Sequence, residues 1–302
     1  MRSIIKTLLV AVTGMVFAVG VACGGGGGDS ASNGAGDGRP DAAVLNASEA
    51  LSRSADGFQE DVESLQGEMV MEMLFGDMEF GLSGDFAFQS PDRMHMKMEF
   101  SGGENEFFNL GELGDIEMLL LGDEIYMNMP FLGGWVVMSL DDLGVDAQQY
   151  RDLLESGSPF DYGSLIESLG DSVGVTDLGE ERVAGHEVRH YRLESDFASL
   201  MEAFGGALGD DLTSDLLPVD AINGPIVTEL WLDRETLLPY KVKASGSFEM
   251  GGLSAGAGSD EMTFEMTMVI SQYNGFVKLP EPPEDARSLD ELGEGLFGGL
   301  EE

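Results

Sequence analysis

The sequence predicts an α+β fold that is mainly antiparallel sheet, and three observations predict it. Long segments alternate apolar and polar residues with a period of two, as half-buried strands do. Short turns rich in Gly, Asp and Pro separate consecutive segments, as hairpins require. Only a few stretches change to a spacing of three to four, the mark of an amphipathic helix.

Asp41, just after Pro40, reads as an N-cap, with Val44, Ala47, Leu51, Ala55 and Phe58 following at helical spacing. From Leu65 the period becomes two. Met69, Met71, Met73 and Phe75 alternate with Val70, Glu72 and Leu74, and Met78, Phe80, Leu82, Phe86 and Phe88 alternate with smaller or polar residues. Met94, Met96, Met98 and Phe100 alternate with His95, Lys97 and Glu99, and Met262, Phe264, Met266, Met268 and Ile270 repeat the pattern far downstream. Gly76-Asp77, Ser90-Pro91-Asp92 and Gly102-Gly103 mark the early turns. Further strands are expected at 106–110, 115–121, 124–129, 134–138, 173–179, 186–194, 226–233, 239–250 and 272–279. Helical spacing recurs around 140–154, 162–169 and 197–208, and these few helices are expected to cover the apolar face of one long sheet. Pro280, Pro282 and Pro283 stop the last strand, and a weak helix is expected in the tail through Leu289 to Leu300.

The N-terminus reads as a targeting segment. Arg2 and Lys6 precede an apolar run from Leu8 to Val21, and Val21-Ala22-Cys23-Gly24 supplies a small-residue cleavage context around the only cysteine of the chain. This resembles the bacterial lipobox, with Gly20 where that motif usually carries Leu. Residues 1–22 are therefore expected to be a lipoprotein signal peptide and Cys23 the lipidation site. Residues 23–40 form a Gly-rich flexible tether whose coil spans roughly 23 Å. The domain occupies 41–282, and an acidic tail 283–302.

The whole chain carries 15 basic and 56 acidic residues, a net charge of -41. Residues 1–22 hold two of the bases and none of the acids, leaving 13 bases against 56 acids, or -43, from Cys23 onward. A surface so acidic repels phosphate backbones, which excludes nucleic acid as a partner. Yet 43% of residues are apolar, too many for a disordered acidic chain, and about 240 residues remain to build one sizeable domain. Without a second cysteine, packing alone must hold it.

Several stretches carry a family resemblance. They are Gly122-Asp123-Glu124-Ile125-Tyr126 leading to Pro130 and Trp135, Val183-Ala184-Gly185 before Tyr191, and Trp231-Leu232-Asp233-Arg234-Glu235-Thr236-Leu237-Leu238-Pro239. With the N-terminal helix and the run of strands, they resemble the LolA/LppX-type (LppX/LprAFG-like) envelope lipoproteins over residues 41–282. The resemblance implies a curved half-barrel whose concave apolar face is lidded by helices. It also implies anchored relatives, of which some carry lipids and others sense them.

Fifteen of the 18 methionines fall on the expected strands. Methionine is unbranched and polarizable and adapts to guests of varying shape, whereas Leu, Ile and Val specify a unique core. The expected ligand wall is Met69, Met71, Met73, Phe80, Phe86, Phe88, Met94, Met96, Met98, Phe264, Met266 and Met268, with a filled core as the competing reading of the same stripe. A 16-carbon acyl chain gains on the order of 12 kcal/mol by leaving water, and a bilayer offers the same, so a carrier face must be nearly as apolar as lipid.

His186-Glu187-Val188-Arg189-His190 spells H-E-x-x-H, which binds zinc only on a helix. After a Gly185 turn it reads as a strand, in which Glu187 points away from both histidines. No catalytic residue, metal or cofactor is expected. Asp141-Asp142 and Asp210-Asp211 lack the spacing of a calcium loop. The leading expectation is a non-enzymatic extracytoplasmic lipoprotein, anchored through Cys23 to the cell membrane or, where there is one, the outer membrane. It would bind or carry a lipid or other hydrophobic molecule in an apolar half-barrel cavity. The alternatives are an envelope sensor or protein-interaction module of the same fold and, remotely, a zinc peptidase.

Overall fold

Residues of alternating polarity become thirteen strands in the protein, seen here in a computed structural model that describes residues 45–76, 78–90, 92–102, 114–130, 133–140, 173–196, 222–250, 261–288 and 291. The strands are β1 (Ser64–Phe75), β2 (Met78–Gln89), β3 (Arg93–Gly102), β4 (Ile116–Leu121), β5 (Glu124–Met129), β6 (Gly134–Ser139), β7 (Gly174–Val183), β8 (His186–Asp196), β9 (Ile222–Asn223), β10 (Pro225–Asp233), β11 (Pro239–Met250), β12 (Glu261–Tyr273) and β13 (Arg287–Ser288). Among the described residues there is one α-helix, α1 (Ala47–Asp61). The strand order is β13-β6-β5-β4-β3-β2-β1-β12-β11-β10-β8-β7, with β9 beside β11. This is the α+β, mainly antiparallel class the sequence predicts, as an open sheet that does not close on itself, the topology a half-barrel requires. The one parallel pair among those described is β13 with β6.

The expected strand at 106–110, the helices at 140–154, 162–169 and 197–208, and most of the tail helix lie outside the described residues, as do Cys23 and the tether. The chain divides into two compact units, one from Met1–Asp61 and Asp152–Glu265, the other from Val62–Arg151 and Met266–Glu302.

In the second unit, β1 to β6 form a meander of hairpins. Gly122 takes φ 63° in the two-residue turn that sets Leu121 opposite Glu124, a conformation glycine adopts without strain. The expected strand at 272–279 does not form as a separate element. Instead β12 runs on to Tyr273 and stops at Asn274, whose φ is 51°. Asn274 Oδ1 accepts from the backbone N–H of Glu63 (2.7 Å), and its own N–H donates to Ser64 O (2.8 Å), fastening the end of β12 beside the start of β1. Asn and Gly tolerate the left-handed region, and this overrides the local alternation. Pairing continues past residue 282, because Arg287 and Ser288 lie against Val136 and Val137. Ser288 and Glu291 then bond each other's backbone N–H groups as a capping box.

In the first unit, α1 begins later than Asp41 predicts. Asn46 is the N-cap, its Oδ1 accepting from Glu49 N–H at 2.8 Å. Ala50, Leu51, Ala55 and Phe58 are buried at helical spacing, and α1 packs against β7. The expected strand at 173–179 extends to Val183, with a register shift between Asp177 and Gly179. Asp233 organises the β10–β11 connection by accepting from Glu235 N–H, Thr236 N–H and the Thr236 hydroxyl on one carboxylate oxygen.

Candidate functional site

Cross-strand partners in a ladder share a face, so the register of β1 to β6 sorts every side chain. Leu65, Gly67, Met69, Met71 and Met73 lie opposite Phe88, Phe86, Gly84, Leu82 and Phe80. These continue to Met94, Met96, Met98, Phe100 and Gly102 on β3, then to Ile116, Met118 and Leu120 on β4. Ile125 and Met127 on β5 and Val136 and Met138 on β6 complete the row. Nine methionines of these strands, at 69, 71, 73, 94, 96, 98, 118, 127 and 138, fall on this face, and among the described side chains no polar one does. The opposite face carries Glu68, Asp85, Lys97, Glu117 and Asn128 in one register row, with His95 bonded to Glu117 at 2.8 Å.

Burial across the apolar face is graded. Met98 (1% exposed), Ile116, Met118, Met127, Val136 and Met138 are buried, whereas Met73, Phe80, Phe86, Phe88, Met94 and Phe100 are half-buried. Gly67 leaves room for the Phe86 ring and the Val269 carbonyl, since a Cβ there would meet the ring at 2.6 Å and Val269 O at 2.3 Å.

The structure thus brings Met69, Met71, Met73, Phe80, Phe86, Phe88, Met94, Met96 and Met98 onto one face. Met266 and Met268 are buried in the same unit. Phe264 lies in the first unit, stacked on Phe248 with centroids 5.4 Å apart and packed with Ile226. Sequence reasoning missed Met118, Met127 and Met138 as part of the wall. The signal was present, because the two-residue Gly122-Asp123 turn fixes the register of two strands already recognised.

The first unit has a different face. Tyr191 lies opposite Leu230, which lies opposite Val242, and all three are buried. The same side of β8 carries Arg189, whose Nε donates to Asp177 Oδ2 at 2.9 Å. That hydrogen bond holds the Asp177 carboxyl below the usual carboxylate range. Burial pushes the Tyr191 phenol up to about 12, and among the described residues its hydroxyl has no hydrogen-bond partner.

The H-E-x-x-H stretch is strand β8. His190 stacks on Trp231 with centroids 4.1 Å apart, between Glu181 and Glu229, while Trp231 Nε1–H donates to Glu181 and Lys241 Nζ sits 4.3 Å over the indole. His186 stacks instead on Tyr240, 4.4 Å away. The two histidines are thus committed to different aromatic partners. Among the described residues no group of His, Cys, Asp and Glu could hold a metal ion, and no helix is long and apolar enough to cross a membrane.

No family model matches the chain, and no curated protein does. Solved structures do. The lipoprotein LppX of Mycobacterium tuberculosis is similar at 12% identity and a TM-score of 0.39, covering 77% of this chain and 97% of LppX. LprF of Mycobacterium bovis is similar at 11% identity and a TM-score of 0.43, covering 78% of this chain and 96% of LprF. A LolA superfamily protein of Nitrosomonas europaea is similar at 12% identity and a TM-score of 0.25, covering 80% of this chain and 96% of that one. The group that the sequence motifs resemble is represented here. At these identities the likeness is one of fold, and no function travels with it.

Proposed function

We propose that this protein is an extracytoplasmic lipoprotein, held at a membrane through acylated Cys23, that binds or carries a lipid or another hydrophobic molecule. The observation that carries the reading is the face of β1 to β6, where nine methionines of those strands gather and no described side chain offers a hydrogen bond. A bilayer solvates an acyl chain as well as any protein does, so exchange with it requires a surface of the same polarity. This face has that polarity. Flexible thioethers adapt to chains of different length and branching, which suits binding by class rather than by shape. The half-buried row of Phe80, Phe86, Phe88 and Met94 is where a guest adds most contact. No catalytic step is assigned to this face, because it holds no titratable group.

The test is to purify the full chain from its membrane, extract it with organic solvent and analyse the extract by mass spectrometry. A hydrophobic compound in near-stoichiometric amount is expected. An extract without one, from a protein that also fails to bind a hydrocarbon probe, would overturn the reading.

A further inference from the structure

We infer that the side of β6 turned away from β5 is a strand-docking edge for a second copy of this chain, and that β13 holds it closed. The two ends of the strand order differ in what protects them. β7 blunts itself, with a register shift between Asp177 and Gly179 and charged side chains at Asp177, Glu180, Glu181 and Arg182. β6 has neither device. Gly134-Trp135-Val136-Val137-Met138-Ser139 carries no charge, and its β-branched and aromatic residues favour strand pairing. Its cover among the described residues is β13, two residues long and parallel.

The backbone fixes what this edge offers. Leu140 N–H donates to Asp123 O at 3.0 Å, and the β5–β6 register continues from that bond, so alternation turns the N–H and C=O groups of Trp135, Val137 and Ser139 away from β5. β13 uses little of this. Ser288 N–H is taken by Glu291 Oε2 at 3.0 Å, which leaves Arg287 as the β13 residue that bonds the edge, aided by its guanidinium on Gly133 O at 3.4 Å. A second β6 makes a longer match. Two copies related by a two-fold axis at Val137 pair antiparallel, with Val137 opposite its own counterpart and Trp135 opposite Ser139. That register uses all three outward residues and sets Val136 beside Met138, so the methionine faces of the two copies run on into one another. β13 comes flanked by Glu284, Asp285 and Glu291, so while it stays in place a second copy meets both a filled edge and like charge.

The experiment measures the mass of the full chain by light scattering over a concentration series, at low and at high salt, with Cys23→Ala throughout so that no acyl chain associates. The otherwise unaltered protein is expected to be a monomer. Arg287→Pro removes the N–H that β13 gives the ladder and should raise the mass to about twice the monomer's and no further, because two-fold pairing closes. High salt should tighten this dimer on the order of tenfold by screening the acidic surfaces. Adding Val137→Pro takes an outward N–H from β6 without touching its bonds to β5, and should return the chain to a monomer. Ser288→Ala keeps every backbone group and loses only the hydroxyl of the capping box, so it should melt as the parent does and dimerise more weakly than Arg287→Pro. A parent that dimerises as strongly as Arg287→Pro, a monomeric Arg287→Pro, or a dimer that survives Val137→Pro would each overturn the inference. Should Arg287→Pro aggregate without limit, Ser288→Ala decides: a dimer upholds the inference and a monomer overturns it.

Discussion

The face of β1 to β6 and the face of β7, β8, β10 and β11 that holds Tyr191 use the same antiparallel ladder for different ends. Among its described side chains the first carries Met, Phe, Leu, Ile, Val and Gly. The second admits Asp177, Arg189, Tyr191 and Thr228 among its apolar residues. A face without polar groups can solvate a chain but cannot orient it. The other face sets charged and hydroxyl groups at defined places. Polarity can thus differ from one stretch of the sheet to another, because the period of two lets each strand set its two faces independently.

The largest expected effect comes from placing a charge on the face that has none. Met98 is 1% exposed, and Met98→Glu buries an unpaired carboxylate among Met69, Met96 and Ile116. A loss of more than about 3 kcal/mol is expected, read as a shift of the urea midpoint or as failure to fold. Val70→Glu is the control, on the opposite face at 48% exposure, and should stay within about 0.5 kcal/mol. Equal effects at both positions would show that the two faces do not differ as described.

Much of this contrast was legible in the sequence. Alternation fixed which side chains of β1, β2 and β3 share a face, and the Gly122-Asp123 turn carried that register into β5. What escaped depends on long-range pairing. Tyr273-Asn274-Gly275-Phe276-Val277 alternates well enough to read as strand, yet Asn274 bonds Glu63 and Ser64, more than 200 positions away, and ends β12 there. Asp41 has the chemistry of an N-cap, but Asn46 has it too and stands next to the first buried turn of α1. The surroundings of Tyr191 have no local signature, since long-range pairing brings Leu230 and Asp177 opposite it on the two neighbouring strands.

A smaller effect separates the hairpin turns of the two units. The β4–β5 turn of the second unit places Gly122 at φ 63°, whereas the β7–β8 turn of the first places Ala184 at φ 49° before Gly185 at φ 97°. Alanine is strained in the left-handed region by roughly 1–2 kcal/mol, and Asn-Gly is the pair this turn favours. Ala184→Asn should therefore raise stability by about 0.5–1 kcal/mol and the melting temperature by a few degrees, and an unchanged value would mean the turn relaxes around Ala184.

The smallest effect tests an ion pair on the Tyr191 face. Arg189 donates to Asp177 and holds the carboxyl below its ordinary value, so the folded state binds this proton less readily than the unfolded chain does. The pair's stabilisation is then fully present above the unfolded carboxylate range near pH 4, and it disappears as pH falls through the lower, folded value. Because Arg189 and Asp177 are 17% and 29% exposed, water screens them and the contribution should stay below about 1 kcal/mol. Comparing urea midpoints of wild type and Asp177→Asn from pH 7 down to pH 3 should show a gap that narrows in acid. A gap that stayed constant with pH would assign the difference to lost hydrogen bonds at the β7 bulge, where Asp177 also accepts from Gly179 N–H at 2.8 Å, and not to charge.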